Sequence, residues 1–167
     1  RFRRLGAPAD RVIVAGSLKY DTAVVADSIP GDTALAEAMG IRRDAPLLVA
    51  GSTGPGEEAR LLDAFERLRA TRPDLQLAII PRKPERFDEV ARLIGTRGFT
   101  CHRRSEHPDG ATAPPSTKSP GIPFVFLGDT MGELRKFYAL ATVVFVGRTL
   151  VPLGGSDLME VAALAKP

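Results

Sequence analysis

Tryptophan is absent from this 167-residue sequence, cysteine occurs once, histidine twice, and only 6% of the residues are aromatic. The single cysteine, Cys101, can neither close an internal disulfide nor contribute to a thiolate cluster, which excludes a disulfide-stapled scaffold and a structural zinc site. His102 and His107 stand without partners at ligand spacing, so both are expected to be solvated, and no metal is expected. No apolar run approaches the roughly 20 residues that a membrane-spanning helix needs. Charge of one sign is scarce too: 23 Lys and Arg against 20 Asp and Glu leave +3, so nucleic acid is not an expected partner. There is no Gly-x-Ser-x-Gly elbow, no His-Glu-x-x-His, and no Gly-Lys-Ser/Thr ending to the glycine loop at Gly51, which removes the hydrolase, metalloprotease and P-loop ATPase classes. Only one glycine, Gly16, follows the first apolar run, so the dinucleotide fingerprint is missing.

What is present is 44% hydrophobic and 26% charged residues, enough to bury the core of one domain. Short apolar runs at 12–15, 47–50, 75–80, 124–127 and 143–146 predict buried parallel strands, with a further short strand at 99–103 that gives Cys101 a packing position. Between them, Leu61, Leu62, Phe65 and Leu68 share one helical face, as do Phe87, Val90, Ala91 and Ile94, and then Leu134, Phe137, Tyr138 and Ala141. The alternation predicts an α/β fold, a parallel sheet with helices between its strands. Glu57 and Glu58 open one helix, Arg67 and Arg69 close it, and Pro84 suits a first helical position. Thr130 with Glu133, and Asp157 with Glu160, have capping-box spacing. The Pro-, Gly- and Ser-rich stretch 105–123 reads as a long, mobile surface loop. Arg1 in first place, and an end directly after a helix-like segment, read as a piece of a longer chain.

In a doubly wound sheet, ligands gather where loops and helix starts meet the carboxyl ends of the strands. Pro81-Arg82-Lys83-Pro84 puts a guanidinium there, suited either to an anionic group or to solvent. Gly128-Asp129-Thr130-Met131-Gly132-Glu133-Leu134 offers a glycine and free amides at a helix start, either a phosphate seat or a simple cap. Gly154-Gly155-Ser156-Asp157-Leu158-Met159-Glu160 leads into the last helix, with an acid one turn in that could accept from ribose hydroxyls.

Taken in order, these turns, together with Gly16-Ser17-Leu18-Lys19-Tyr20-Asp21, Gly51-Ser52-Thr53, Gly56-Glu57-Glu58 and Pro84-Glu85-Arg86-Phe87, resemble the 3-deoxy-D-manno-octulosonic acid (Kdo) transferases of lipopolysaccharide assembly. The resemblance spans nearly the whole chain. It implies a Rossmann-like parallel sheet with helices on both faces, forming over 1–167 most of the C-terminal, donor-binding domain of a GT-B glycosyltransferase whose N-terminal acceptor domain is absent here. The implied reaction is an inverting transfer of Kdo from CMP-Kdo to a lipid A precursor at the cytoplasmic face of the inner membrane, without cofactor or metal. The missing half would supply the general base and the membrane association. Carried over by position, Pro81, Arg82, Met131, Gly132 and Glu133 would contact CMP; Asp157, Leu158, Met159 and Glu160 would complete the nucleotide site, with Glu160 on the ribose. Lys19 would stabilise transition-state charge. This fragment alone is expected not to turn over.

The chain departs from the family pattern at Ser156 and Asp157, where His and Asn are usual, and at Val161, where Pro is usual. Gly54 and Lys83 stand in place of His, and Arg148 in place of Gly; the 105–123 loop is an enlargement. Asp157 matters most, because an ionised Asp only accepts hydrogen bonds and repels phosphate. Two rival readings follow: a GT-B relative using another nucleotide sugar, and a non-catalytic scaffold domain that binds no nucleotide.

Overall fold

In the computed structural model the described residues are 2–14, 28–111 and 123–167. Five strands, β1 (Leu47–Thr53), β2 (Gln76–Pro81), β3 (Thr100–Arg103), β4 (Phe124–Leu127) and β5 (Val143–Val146), form one sheet in the order β3-β4-β2-β1-β5. Every pairing is parallel. Strands buried on both sides require apolar residues at successive positions rather than at alternate ones. β1 shows this directly: Leu47 and Val49 pack into one core while Leu48 and Ala50 pack into the other.

Among the described residues, five α-helices cover the two faces: α1 (Asp32–Met39), α2 (Glu57–Arg69), α3 (Phe87–Thr96), α4 (Leu134–Leu140) and α5 (Met159–Ala163). Leu35 and Met39 of α1, Phe137 and Tyr138 of α4, and Val161 of α5 pack with Val49, Ile80 and Phe126 on one face. Leu61, Leu62 and Phe65 of α2, with Val90 and Ile94 of α3, pack on Leu77, Ile79 and Val125 on the other. α1 arises from residues to which the periodicity argument assigns no element. Pro84 opens the 3-10 turn Pro84–Arg86 that leads into α3, as its missing amide and fixed φ favour.

The chain runs from β1 to β2 and on to β3, returns to β4 in between, and crosses to β5 on the far side of β1. The direction of winding therefore reverses between β1 and β5, and the crevice outside their carboxyl ends is where a ligand fits. No helix among the described residues is long and apolar enough to cross a membrane.

Several expectations are corrected. Residues 12–14 form no strand, and Ile13 and Val14 are 86% and 92% exposed; an apolar run becomes a strand only when a neighbour pairs with it, and none of the described strands does. Gly51, Ser52 and Thr53 extend β1 rather than forming a loop after it. Leu68 lies outside the apolar face of α2. His102 is buried, its ring stacked on Phe124 at 5.1 Å, and burial, with His107 adding, lowers its pKa. Cys101 takes the packing role expected of it, with burial pushing its thiol up to about 12. The 105–123 loop begins with a 3-10 turn, Arg104–Glu106, and its part at 112–122 lies outside the described residues.

Candidate functional site at the carboxyl edge of the sheet

The site is built on a close approach of two backbones. A Cβ added to Gly147, just after β5, would lie 2.4 Å from the Ser52 carbonyl oxygen and 2.5 Å from Thr53 Cα. A Cβ on Gly51 would lie 2.1 Å from Tyr138 Oη, so glycine keeps position 147 clear of backbone and position 51 clear of the Tyr138 ring. Ser52 and Arg148 both take a positive φ, 55° and 67°, and the β1–β2 register shifts between Gly51 and Thr53. Such backbone is costly for non-glycine residues and is held only where its surroundings fix it.

Glu57 is the group that fixes it. Its fully buried carboxylate accepts from the amides of Gly54, Arg148, Thr149 and Leu150 at 2.6–2.9 Å. Burial alone would raise its pKa, but these four donors outweigh that and hold it below the usual carboxylate range. One acid at the start of α2 thus ties the β1 turn to the β5 turn.

Beside this junction lies an open cleft of about 390 Å³ lined by Thr53, Gly54, Pro55, Arg82, Lys83, Glu85, Arg86, Arg148 and Leu153. Its floor is an ion pair: Arg86 donates to both oxygens of buried Glu58 at 2.6 and 3.0 Å and to Glu89 at 3.0 Å. Thr53 Oγ1 donates to the same Glu58 at 2.7 Å. These acids, Glu58 first, raise the Arg86 pKa further, so Arg86 stays charged but neutralised. Arg82 differs, because its backbone amide is used by the Thr53 carbonyl at 3.1 Å while its exposed side chain has no carboxylate partner among the described residues.

The turn after β4 is clamped from the side. Buried Asp129 accepts from Arg103 Nε at 2.7 Å, and from the amide and hydroxyl of Ser105 at 2.8 and 2.6 Å. Buried Arg104 grips Glu133 through Nε and Nη2 at 2.8 and 2.9 Å and also pairs with Asp109. Thr130 Oγ1 and Lys136 Nζ donate to Glu133 as well. The Thr130–Glu133 capping box is therefore not formed: α4 starts three residues later than that box requires, with Glu133 at its N-cap position and no side-chain cap bond, because Arg104 competes better for the carboxylate. Gly132, at φ +83°, exposes the turn.

Arg104, foremost among these donors, holds Glu133 down at about 2 against an ordinary 4.5. A depressed carboxylate pKa contributes stability that is complete above the unfolded value and lost as pH falls through the folded one. The melting temperature should therefore fall as pH drops from 4.5 towards 2. In Glu133→Gln that slope should be shallower, and equal slopes would contradict the assignment.

The last segment returns over the same edge. Ser156 Oγ lies 3.4 Å from the Ser52 carbonyl, and Asp157 Oδ1 accepts from the Met159 amide at 3.0 Å. This is an Asx-type turn rather than the capping box with Glu160, since α5 begins only at Met159 and its N-cap residue is Leu158. Burial, with the nearby charge of Glu160 adding, pushes the Tyr138 phenol up to about 12 against the hydrogen bond with Ser52. Glu160 therefore lies close to the β1 end. Arg82, Met131, Gly132, Asp157, Leu158 and Glu160 are all exposed on this edge, Glu133 and Met159 are half-buried, and Pro81 is buried at the end of β2. Lys19 lies outside the described residues.

Sequence reasoning missed Glu57 as an amide acceptor, the Glu58–Arg86 pair, and the Arg103–Arg104 clamp. Two adjacent acids at a helix start read as dipole partners. That both are fully buried depends on distant partners, a loop some 90 positions away for Glu57 and Arg86, 28 positions away, for Glu58. The paired arginines closing β3 were the one local signal available.

An α/β domain whose winding reverses beside a glycine-lined, cation-bearing crevice has the doubly wound architecture that seats ligands at its switch point. No protein-family model matches the chain. It is 34% identical over 173 residues, 100% of its own length, to the 3-deoxy-D-manno-octulosonic acid transferase of Haemophilus influenzae, and 37% identical over 164 residues, 96% of its length, to that of Bordetella pertussis. It spans 36% of each of these curated relatives. Among solved structures, the C-terminal CMP-Kdo binding domain of WaaA from Acinetobacter baumannii is 31% identical, with a TM-score of 0.67 over 81% of this chain and 66% of that one. Nearly the whole length of the chain is thus similar to part of the Kdo transferases.

Proposed function

We propose that this chain is the donor-binding part of a Kdo transferase that moves Kdo from CMP-Kdo to a lipid A precursor in lipopolysaccharide assembly. The observation that carries the reading is the likeness to a CMP-Kdo binding domain at 31% identity, joined to an open carboxyl edge that bears Arg82, the Met131-Gly132-Glu133 turn and Glu160. The amides of that turn and the Arg82 guanidinium suit the phosphate. Glu160 accepts from the ribose hydroxyls, and Asp157 to Met159 border the nucleotide. Glu133 contributes through its backbone, because its carboxylate is held by Arg104.

CMP is a good leaving group, so fixed positive charge suffices to stabilise its departure, with Lys19 in that role. The transfer inverts the anomeric centre. The general base on the acceptor hydroxyl belongs to an N-terminal half, which also holds the lipid acceptor at the cytoplasmic face of the inner membrane. Residues 1–167 are then one donor domain with an enlarged loop at 105–123. Asp157 favours a second reading, a relative using another nucleotide sugar, because it brings a negative charge to the pocket.

The test is a titration of CMP, with UMP as control, into the full-length protein. CMP is expected to bind selectively. Equal binding of UMP supports the second reading, and binding of neither supports a scaffold.

A further inference from the structure

The cleft between the β1, β2 and β5 ends is not the place assigned above to the nucleotide. Met131 to Glu133 and Asp157 to Glu160 lead into α4 and α5, on one face of the sheet. The cleft is lined instead by the connections from β1 and β2 into α2 and α3, on the opposite face, together with Arg148 and Leu153. A ligand seated on the first group through its nucleotide therefore has this cleft on the other side of the strand ends, with Arg82 between the two.

The charges in the cleft are unequal. Arg86 is neutralised by Glu58 and Glu89, and Lys83 by Glu85 at 3.3 Å. Arg82 and Arg148 have no carboxylate partner among the described residues. Arg148 donates through Nη2 to the Leu153 carbonyl at 2.7 Å, which braces the guanidinium and leaves its other donors unassigned. Its stem lies over Gly54, where an added Cβ would come within 3.3 Å of Arg148 Cγ. The positive φ of Arg148 and the grip of Glu57 on its amide fix the point from which the side chain leaves the backbone.

We propose that Arg148 is a specificity residue that receives the carboxylate of the donor sugar in this cleft, while Arg82 serves the phosphate next to it. The proposal rests on the reading that the donor is CMP-Kdo, and it makes Arg148, which stands where the family pattern has Gly, a contact particular to this chain. An octulosonic acid carries its carboxylate on the anomeric carbon, one bond from the carbon that bears the phosphate oxygen. The two anions are thus neighbours, as the two cations are. A planar guanidinium matches a carboxylate with two parallel hydrogen bonds.

The test measures the affinities of the full-length protein for CMP and for freshly prepared CMP-Kdo in the parent and in Arg148→Gln, Arg148→Gly and Arg148→Lys. Glycine suits the positive φ, so a loss in Arg148→Gly is not a folding defect. Arg148→Gln and Arg148→Gly should bind CMP within about twofold of the parent but CMP-Kdo about tenfold or more weakly. Arg148→Lys should recover part of that loss. A parallel loss of CMP affinity would mean that Arg148 serves the phosphate, and unchanged CMP-Kdo affinity would mean that it serves neither; both outcomes overturn the proposal. A parent that binds CMP no better than UMP would instead overturn the donor assignment on which it rests.

Discussion

Gly147→Ala should destabilise the domain by about 3 kcal/mol or more, at the upper end of overpacking costs. The added Cβ would meet Ser52 O, Thr53 Cα and Ser52 C at 2.4, 2.5 and 2.6 Å, and all three are backbone atoms in a strand paired on both sides. Relief requires β1 and β5 to part, which would also break the Gly147 amide's hydrogen bond to the Gly51 carbonyl. Gly51→Ala is a useful contrast, because the three atoms nearest its Cβ all belong to the Tyr138 side chain, at 2.1–2.5 Å, and a side chain yields more readily than backbone. It should cost less than Gly147→Ala and couple non-additively with Tyr138→Ala. Urea denaturation of the three variants and the double mutant decides this. A Gly147→Ala protein within about 0.5 kcal/mol of the parent would mean that the two strand ends are further apart than described.

Arg86→Ala should cost about 3–5 kcal/mol, because it leaves the buried Glu58 carboxylate without its counter-charge. The Arg86 and Glu58 side chains are 8% and 1% exposed, and two parallel hydrogen bonds join them. Removing both charges is a different matter, since each ion's desolvation is then avoided. Arg86→Met with Glu58→Met should therefore be far less damaging than Arg86→Ala alone, as equilibrium denaturation would measure. Equal losses would show that Arg86 contributes by packing its stem rather than by its charge. The same pair forms the floor of the cleft, so the double variant also separates fold stability from the cleft's charge.

Most of the sheet was legible because parallel strands print a simple pattern: 47–50, 75–80, 124–127 and 143–146 are apolar at successive positions and end in Gly or Pro. The run at 12–15 shows the same composition with a different outcome, since Ile13 and Val14 are exposed. Composition records apolarity but not whether a neighbour is present to pair with it. α1 escaped notice because three of its eight residues are alanine, which marks its apolar face only weakly, whereas the shorter α4 carries Leu134, Phe137 and Tyr138.

At the site, the turns that face a ligand were legible, and the groups that shape those turns were not. Arg82, Gly132 and Glu160 lie on the carboxyl edge because topology puts every such turn there. Glu57, Glu58 and Arg104 act through partners 28 to 93 positions away, and local spacing carries no trace of such pairings. The two capping boxes failed differently, one to a distant partner and one to a local turn. Arg104 takes Glu133, and Asp157 turns back on Met159, where spacing alone paired each acid with its own helix start.

The measurement that bears most directly on the donor-domain assignment is a calorimetric titration of CMP, with UMP as control, into the full-length protein and its Arg82→Gln and Asp157→Asn variants. The expected result is CMP-selective binding by the parent, weakened about tenfold or more in Arg82→Gln and preserved or tightened in Asp157→Asn. Binding that appears only in Asp157→Asn would mean an intact pocket whose donor has changed. Absence of CMP binding in all three, or UMP bound as tightly as CMP, would contradict the assignment of this edge to a CMP-linked sugar.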